Sequence, residues 1–234
     1  MTQLGFFVDV SKCSGCKTCA VACKDAHNLP VGMNFRKVHE YAGGNWKQAA
    51  DGSWTQDVFG YYVSLGCNHC SDPACVKVCP TKAHHKRAED GLVVIDATKC
   101  IGCGLCAQAC PYHAPVLDET AHKMRKCDAC FDRLQRGLQP ICVESCPNRA
   151  IEFGEIEELR KKYGKLAEVA PLPSASKTQP NLVLVVPAQA FVPDELLAQA
   201  IVQFTMSRFG KESEDQKIRE EEAEERKAVE RGAL

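Results

Sequence analysis

Residues 100–111 read CIGCGLCAQACP, four cysteines spaced C-x2-C-x2-C-x3-C with a proline directly after the last one. The two-residue gaps predict a tight turn that brings three thiolates onto one [4Fe–4S] cluster. Gly102 and Gly104 have no Cβ, so the backbone can approach that cluster closely. The three-residue gap turns Cys110 away, and in paired sites of this kind the fourth cysteine binds the other cluster. The segment therefore predicts another cysteine group that faces it.

Three further cysteine groups occur in the chain. We number the groups in chain order: group one spans residues 13–23, group two 67–79, group three 100–110 and group four 127–146. The spacing is C-x2-C-x2-C-x3-C in groups one and three, C-x2-C-x4-C-x3-C in group two and C-x2-C-x11-C-x3-C in group four. Each group thus contains four cysteines, which is the number of thiolates that one [4Fe–4S] cluster needs.

The groups form two similar pairs. The sequence VDVSKCSGCKTCAVAC at 8–23 returns as IDATKCIGCGLCAQAC at 95–110. Groups two and four share the pattern P-x-C-V-x2-C-P-x2-A, which starts at Pro73 and at Pro140. This internal repeat predicts an α+β chain with two ferredoxin-like [4Fe–4S] modules, a hairpin insertion and an extended C-terminal arm.

All sixteen cysteines of the chain fall in these groups, and all are candidate metal and cofactor ligands. They are Cys13, Cys16, Cys19, Cys23, Cys67, Cys70, Cys75, Cys79, Cys100, Cys103, Cys106, Cys110, Cys127, Cys130, Cys142 and Cys146. Disulfides are disfavoured, because residues 1–10 lack the pattern of a secretion signal and predict a reducing compartment. Zinc ribbons use isolated C-x2-C pairs, so groups of four favour four [4Fe–4S] clusters over a structural zinc protein.

Composition limits the partners. The formal net charge is −1, and no run of about 18 apolar residues occurs. We therefore expect no membrane span and no nucleic-acid partner. Five polar residues close to the cysteines are candidates for proton coupling or for tuning the clusters, but we favour ordinary surface positions for them. They are His69, Asp72, His84, His85 and His113.

Residues 24–66 form an insertion between groups one and two. Strands are predicted at 35–41 and 58–65, with a turn at 43–44 between them. The two tryptophans of the insertion are expected in the hairpin core or at a contact with a partner.

The chemistry ends after group four. A short charged helix is predicted over 156–163, followed by a proline-rich arm with an edge strand at 181–186. An amphipathic stretch is predicted over 194–210, and the tail at 211–231 has nine acidic and six basic residues. Because an extended proline-rich backbone depends on a surface beneath it, we expect the arm to pack on a partner subunit or on the face between the modules.

Short strands are predicted at 6–10 and 91–96, where they lead into groups one and three. These expectations divide the chain into five parts. The parts are 1–23 plus 112–165 as ferredoxin-like module one, the insertion 24–66, 67–111 as module two, the partner-docking arm and helix 166–210, and the charged tail 211–234.

Several short stretches resemble one known family. They are LGFF at 4–7, CKTC at 16–19, YAGG at 41–44, CNHC at 67–70, PICVESCP at 140–147 and VAPLP at 169–173. Together with the x11 gap of group four, they resemble the four-cluster iron–sulfur (beta) electron-transfer subunits of the molybdopterin oxidoreductase family, in particular those of bacterial dimethyl sulfoxide reductases. The resemblance covers residues 4–186.

The resemblance implies which groups share clusters. Group one pairs with group four and group two with group three, and each cluster takes three thiolates from one group and the fourth from its partner. The implied sets are Cys13, Cys16, Cys19 with Cys146; Cys127, Cys130, Cys142 with Cys23; Cys67, Cys70, Cys75 with Cys110; and Cys100, Cys103, Cys106 with Cys79. Related nitrate reductase subunits have Trp in place of Cys103 and a [3Fe–4S] cluster there, so Cys103 implies four complete cubanes.

The resemblance also implies a role without catalytic residues. Electrons would pass from a membrane anchor subunit with a quinol site, through the four clusters, to a molybdopterin catalytic subunit that reduces dimethyl sulfoxide or a similar S- or N-oxide in anaerobic respiration. A relay for another molybdopterin oxidoreductase, a formate dehydrogenase or a hydrogenase is the alternative. The implied location is a peripheral membrane-associated complex whose clusters are loaded in the cytoplasm. Co-export would place it on the periplasmic face, and the cytoplasmic face is the other possibility.

Overall fold

The computed structural model describes residues 2–188 and Ala190, so the predicted stretch at 194–210 and the charged tail lie outside the described residues. The helices are α1 Thr18–Ala26, α2 Ala74–Lys77, α3 Leu105–Ala109, α4 Phe131–Gln135, α5 Ile141–Glu144 and α6 Ile156–Tyr163, with a 3-10 turn at Ala175–Lys177. The strands are β1 Leu4–Asp9, β2 Lys37–Gly43, β3 Trp46–Gln48, β4 Trp54–Gln56, β5 Phe59–Leu65, β6 His84–Lys86, β7 Val93–Ile95, β8 Val116–Asp118, β9 Lys123–Arg125, β10 Ile151–Glu155 and β11 Leu182–Val185.

Strand β1 is the centre of a three-stranded sheet in the order β10-β1-β11. It runs antiparallel to β10, with Phe6 opposite Phe153, and parallel to β11, with Phe7 opposite Val183. Successive side chains of a strand point to opposite faces, and both Phe6 and Phe7 are buried. Helix α6 covers the face of Phe7, whose ring stacks on Tyr163 with 3.7 Å between the centroids. The sheet is therefore buried on both faces and anchors the start and the end of the cysteine-rich region.

The described part of the C-terminal arm lies on the chain itself. Strand β11 forms one edge of the sheet, and Leu182, Val183 and Leu184 are fully buried. Just before β11, the amide N–H of Asn181 donates to the carbonyl of Asn68 at 3.0 Å. Over 166–185 the arm thus contacts both modules of its own chain. The aliphatic run completes the sheet of module one, and the segment before it holds the first loop of group two.

The insertion contains two hairpins, where one turn was expected. Strands β2 and β5 pair antiparallel, and the smaller β3–β4 hairpin extends beyond them. Trp46 and Trp54 on this second hairpin are 64% and 58% exposed, so neither belongs to a hairpin core. At its base, Phe35 packs with Cys23 and Cys127. The insertion therefore contributes apolar packing to groups one and four.

Strands β8 and β9 form a hairpin that the sequence patterns did not reveal. It packs on group three, where Met124 is buried with Cys100 and Cys106. The amide N–H of Met124 donates to Cys100 Sγ at 3.3 Å. Val116 of the same hairpin packs on the cluster that contains Cys23 and Cys127, so residues 116–125 contact cysteine groups of both modules.

We expect Val183→Asp to lower the thermal midpoint of the chain by about 10 °C. A buried, unpaired carboxylate costs about 3 kcal/mol or more, and each kcal/mol shifts a chain of this size by about 2–4 °C. Val31 is 98% exposed, so Val31→Asp is the matched control and should stay within about 2 °C of the wild type. Circular dichroism melting measures both. Equal shifts would contradict the burial of β11 in the chain's own sheet.

Candidate iron–sulfur centres

Each cysteine group begins in a loop and ends in or beside a short helix. Cys19 and Cys23 lie on α1, Cys75 on α2, Cys106 on α3 and Cys142 on α5. The third cysteine of each group is therefore held by the first turns of a helix. A loop followed by such a helix places the thiols of one group around a common point.

The backbone conformation explains why groups one and three share a glycine after their first cysteine. Gly15 and Gly102 both have φ of +70°, a left-handed conformation that favours glycine. A Cβ on Gly102 would lie 2.4 Å from the carbonyl oxygen of His122, at the β8–β9 hairpin. Among the described atoms, the backbone at Gly102 therefore closely approaches the backbone at His122.

The helices bring the cysteine groups together in two pairs. Helix α1 packs on α5, which joins group one to group four, and α2 packs on α3, which joins group two to group three. The Asn148 side-chain amide also donates to the carbonyl of Lys12 and to the hydroxyl of Ser14, both at 2.9 Å. The two modules fall within one compact unit over 1–192.

One cavity joins thiols of groups two and three. Its lining includes the first three cysteines of group two and the fourth of group three, with Tyr112 and Lys126 beside them. The four thiols are Cys67, Cys70, Cys75 and Cys110. This donor set fits a [4Fe–4S] cluster, which four thiolates hold.

Thiols of different groups also lie close enough to influence each other's charge. Burial raises the pKa of Cys13, and charge on Cys19 and on Cys146 of group four adds to this. The pKa of Cys23 is raised to about 12, first by burial and then by charge on Cys142.

Groups two and three show the same proximity. The pKa of Cys75 is raised to about 12, mainly by burial, with added charge from Cys67 and Cys110. Cys79 packs against the apolar cluster that contains Cys100 and Cys106. In each of the four implied sets, at least one cysteine packs near a cysteine of the other group or has its pKa shifted by one. Because thiolates are the ligands, cluster binding must release protons from these buried thiols.

Backbone amides point at several of the sulfurs. Ala129 N–H donates to Cys127 Sγ at 3.4 Å, and Ala150 N–H donates to Cys146 Sγ at 3.3 Å. Such bonds stabilise negative charge on the sulfur and so help to set a cluster's potential.

Two histidines differ from the expected surface positions. His69 and His84 are buried, whereas His85 and His113 are exposed and Asp72 forms an ion pair with Lys77 at the surface. His69 Nδ1 accepts the amide N–H of Val93 at 3.0 Å. Burial lowers the pKa of His69 well below its usual range and that of His84 to about 4. Both rings are therefore neutral at pH 7.

Two buried cations lie among the cysteines. Lys126 donates to the carbonyls of Val93 and Cys127 and lines the cavity described above. Arg36 of the insertion is 3% exposed. No spacing rule identifies such residues, because an isolated cation in a strand-rich segment is usually solvated.

Exposure differs among the cysteines. Cys16 of group one and Cys103 of group three are exposed, and the other cysteines are buried or half-buried.

In the ranges 2–188 and 190, no helix is long and apolar enough to cross a membrane. Within those ranges, no three Cys, His, Asp or Glu side chains converge as ligands of a single metal ion.

Known proteins match the chain throughout the cysteine region. A family model described as a 4Fe–4S dicluster domain matches residues 58–156, and one described as a 4Fe–4S binding domain matches 10–32. The B component of anaerobic dimethyl sulfoxide reductase from Escherichia coli K12 is 60% identical over 183 residues, which are 78% of this chain and 88% of the relative. The chain therefore belongs to this family of iron–sulfur subunits.

Other relatives agree. The B component of anaerobic dimethyl sulfoxide reductase from Haemophilus influenzae is 54% identical over 184 residues, 79% of this chain and 89% of the relative. The B component of tetrathionate reductase from Salmonella typhimurium is 38% identical over 156 residues, 67% of this chain and 59% of the relative. These relatives confirm the predicted role. The chain is an iron–sulfur, electron-transfer subunit of a reductase complex and is not the catalytic subunit. The relatives also imply a catalytic partner subunit.

The cavity leads to a prediction about Cys110. We expect Cys110→Ser and Cys70→Ser to alter the same cluster signal in the electron paramagnetic resonance (EPR) spectrum of the reduced protein, because both thiols line one cavity. Cys106→Ser should alter a different signal, although Cys106 lies in the same group as Cys110. If Cys110→Ser instead changes the signal that Cys106→Ser changes, each cluster takes its four ligands from a single group.

Proposed function

We propose that this chain relays electrons through four [4Fe–4S] clusters to a molybdopterin catalytic subunit that reduces dimethyl sulfoxide or a similar S- or N-oxide. The electrons come from a membrane anchor subunit with a quinol site. The cavity lined by four thiols of groups two and three carries the proposal, because it unites cysteines from two groups in one donor set. The two relatives from anaerobic dimethyl sulfoxide reductases support the choice of catalytic partner.

The proposal assigns each cluster three thiolates from one group and one from its partner. Helix packing between the groups supports this assignment, as do the packing of Cys79 on the cluster of Cys100 and Cys106 and the cavity shared by groups two and three. The pKa values of Cys13 and Cys23, which charge on group four raises, agree with it. The proposed sets are Cys13, Cys16, Cys19 and Cys146; Cys127, Cys130, Cys142 and Cys23; Cys67, Cys70, Cys75 and Cys110; and Cys100, Cys103, Cys106 and Cys79.

When bound, each cluster supplies a one-electron carrier. The chain's own residues hold it, limit the access of water and adjust its charge. Most ligand sulfurs are buried or half-buried, and the amides of Met124, Ala129 and Ala150 donate to three of them. The two exposed thiols, Cys16 and Cys103, belong to different modules. We assign them to the two ends of the relay, where partner subunits exchange electrons with it.

The complex is proposed to be peripheral, held at the membrane through the anchor subunit. Clusters are inserted in the cytoplasm, and co-export with the catalytic subunit places the complex on the periplasmic face. Reduction of another oxidised compound is the second candidate function. The tetrathionate reductase relative described above favours it. So does the beta subunit of perchlorate reductase from Dechloromonas aromatica, which is 30% identical in an alignment that covers 79% of this chain and 75% of the relative.

The purified complex provides the test. We expect the chain to carry about sixteen irons, since sixteen cysteines form four ligand sets. After anaerobic reduction, dimethyl sulfoxide should reoxidise the clusters within the mixing time of the assay, followed by their visible absorbance.

Tetrathionate and perchlorate are the matched controls, and neither should reoxidise the clusters. Reoxidation by one of them, with none by dimethyl sulfoxide, would support the second candidate function. Zinc in place of iron would contradict the relay itself.

A further inference from the structure

Arg36 carries a buried positive charge. It lies in the insertion, just before β2, and its guanidinium forms no ion pair with any carboxylate in the part of the chain that the structure describes. Burying a charge is costly unless an opposite charge and hydrogen bonds compensate. The compensation must therefore come from other groups around Arg36.

Its neutral contacts satisfy only part of the guanidinium. Arg36 Nη1 donates to the carbonyl of Ser64 at 3.2 Å and to Ser64 Oγ at 3.1 Å. The guanidinium carbon lies 4.8 Å from the ring centroid of Phe6, a cation–π contact. Nη2 is buried and has no hydrogen-bond partner among the described residues. One face of the cation is thus still available to an acceptor.

Thiols of groups one and four lie close enough to this cation to affect its pKa. Burial by itself lowers the pKa of Arg36, but negative charge on Cys142, Cys127, Cys19 and Cys23 outweighs it and raises the pKa above its usual value. Two of these cysteines belong to each group. The anions that compensate the buried guanidinium are therefore the thiolates that would hold the two clusters of module one.

A hydrogen-bonded chain leads from the cation to one ligand sulfur. Ser64 Oγ lies 3.2 Å from Cys19 Sγ. Arginine can only donate, so Ser64 Oγ accepts from Arg36 and its own proton remains for the sulfur. Ser64 is itself buried. A deprotonated Cys19 would accept this proton, which places a polarised O–H between the guanidinium and the cluster ligand.

We propose that Arg36 raises the reduction potentials of the two clusters of groups one and four, an inference that rests on the proposed electron relay. Reduction adds a negative charge to a cluster. A fixed cation in a buried, low-dielectric position favours the reduced state more than the oxidised one. The insertion thereby adds a buried positive charge to module one. Arg36 is not a ligand, and it acts on the clusters only through its charge and through Ser64.

The test is a redox titration of the anaerobically purified complex, followed by EPR. Single Cys→Ser variants, one in each group, first assign the four signals. Arg36→Met removes the charge and keeps an unbranched side chain. We expect it to lower the equilibrium constant for reduction at least tenfold at the clusters of groups one and four, about 59 mV for a one-electron couple.

Two variants serve as controls. Arg36→Lys keeps the charge. The equilibrium constants for reduction of its clusters should stay within about threefold of the wild-type values. Lys47 lies in the same insertion, but its side chain is 72% exposed and pairs with Asp57 at 3.6 Å. Lys47→Met removes the same formal charge at a solvated position and should change no reduction constant by more than about twofold.

Unchanged potentials in Arg36→Met would overturn the inference, and so would an equal fall at all four clusters. If Arg36→Met does not load iron, Ser64→Ala replaces it, because this variant keeps the Arg36 charge and removes Ser64 Oγ, which accepts from Arg36 and faces Cys19. A lower potential of the group-one cluster in Ser64→Ala supports the inference, and an unchanged one overturns it. A wild-type complex without reducible clusters would instead overturn the proposed relay, a result that needs no variant.

Discussion

The packing of α1 on α5 and of α2 on α3 is the constraint on which the rest of the structure depends. It brings together cysteine groups that are far apart in sequence. The loop between groups one and four contains the whole of module two, so closing it costs considerable chain entropy. The three-stranded sheet around β1 holds the two ends of that loop together, because β1 precedes group one and its partner β10 follows group four.

The buried thiols make electrostatics the second constraint. Desolvation raises the pKa values of Cys23 and Cys75 to about 12, so the metal-free thiols hold their protons at pH 7. The four proposed cluster sites would be anionic, and in a chain with a formal net charge of −1 they need compensation close by. Backbone N–H groups supply part of it, and Arg36 and Lys126 bring buried positive charge to the cysteine groups of the two modules.

The sequence predicts those features that short-range patterns determine. Cysteine spacing identifies the four groups, and helix α6 spans 156–163 as its charge and apolar pattern predict. The β8–β9 hairpin is missed because three-residue strands carry no readable alternation. The burial of Arg36 and His69 also escapes sequence reasoning, as does the identity of the surface that covers the predicted edge strand, β11. Burial depends on partners that are distant along the chain, and no local pattern encodes them.

We propose that every cluster is held by cysteines of two groups. Diffraction data collected at the iron absorption edge, from crystals of the anaerobically purified complex, would show which cysteines lie beside each cluster. We expect four iron clusters in this chain, each beside three cysteines of one group and the fourth cysteine of its partner, so that the cluster of Cys13 also contacts Cys146. Four clusters that each lie within a single cysteine group would contradict it.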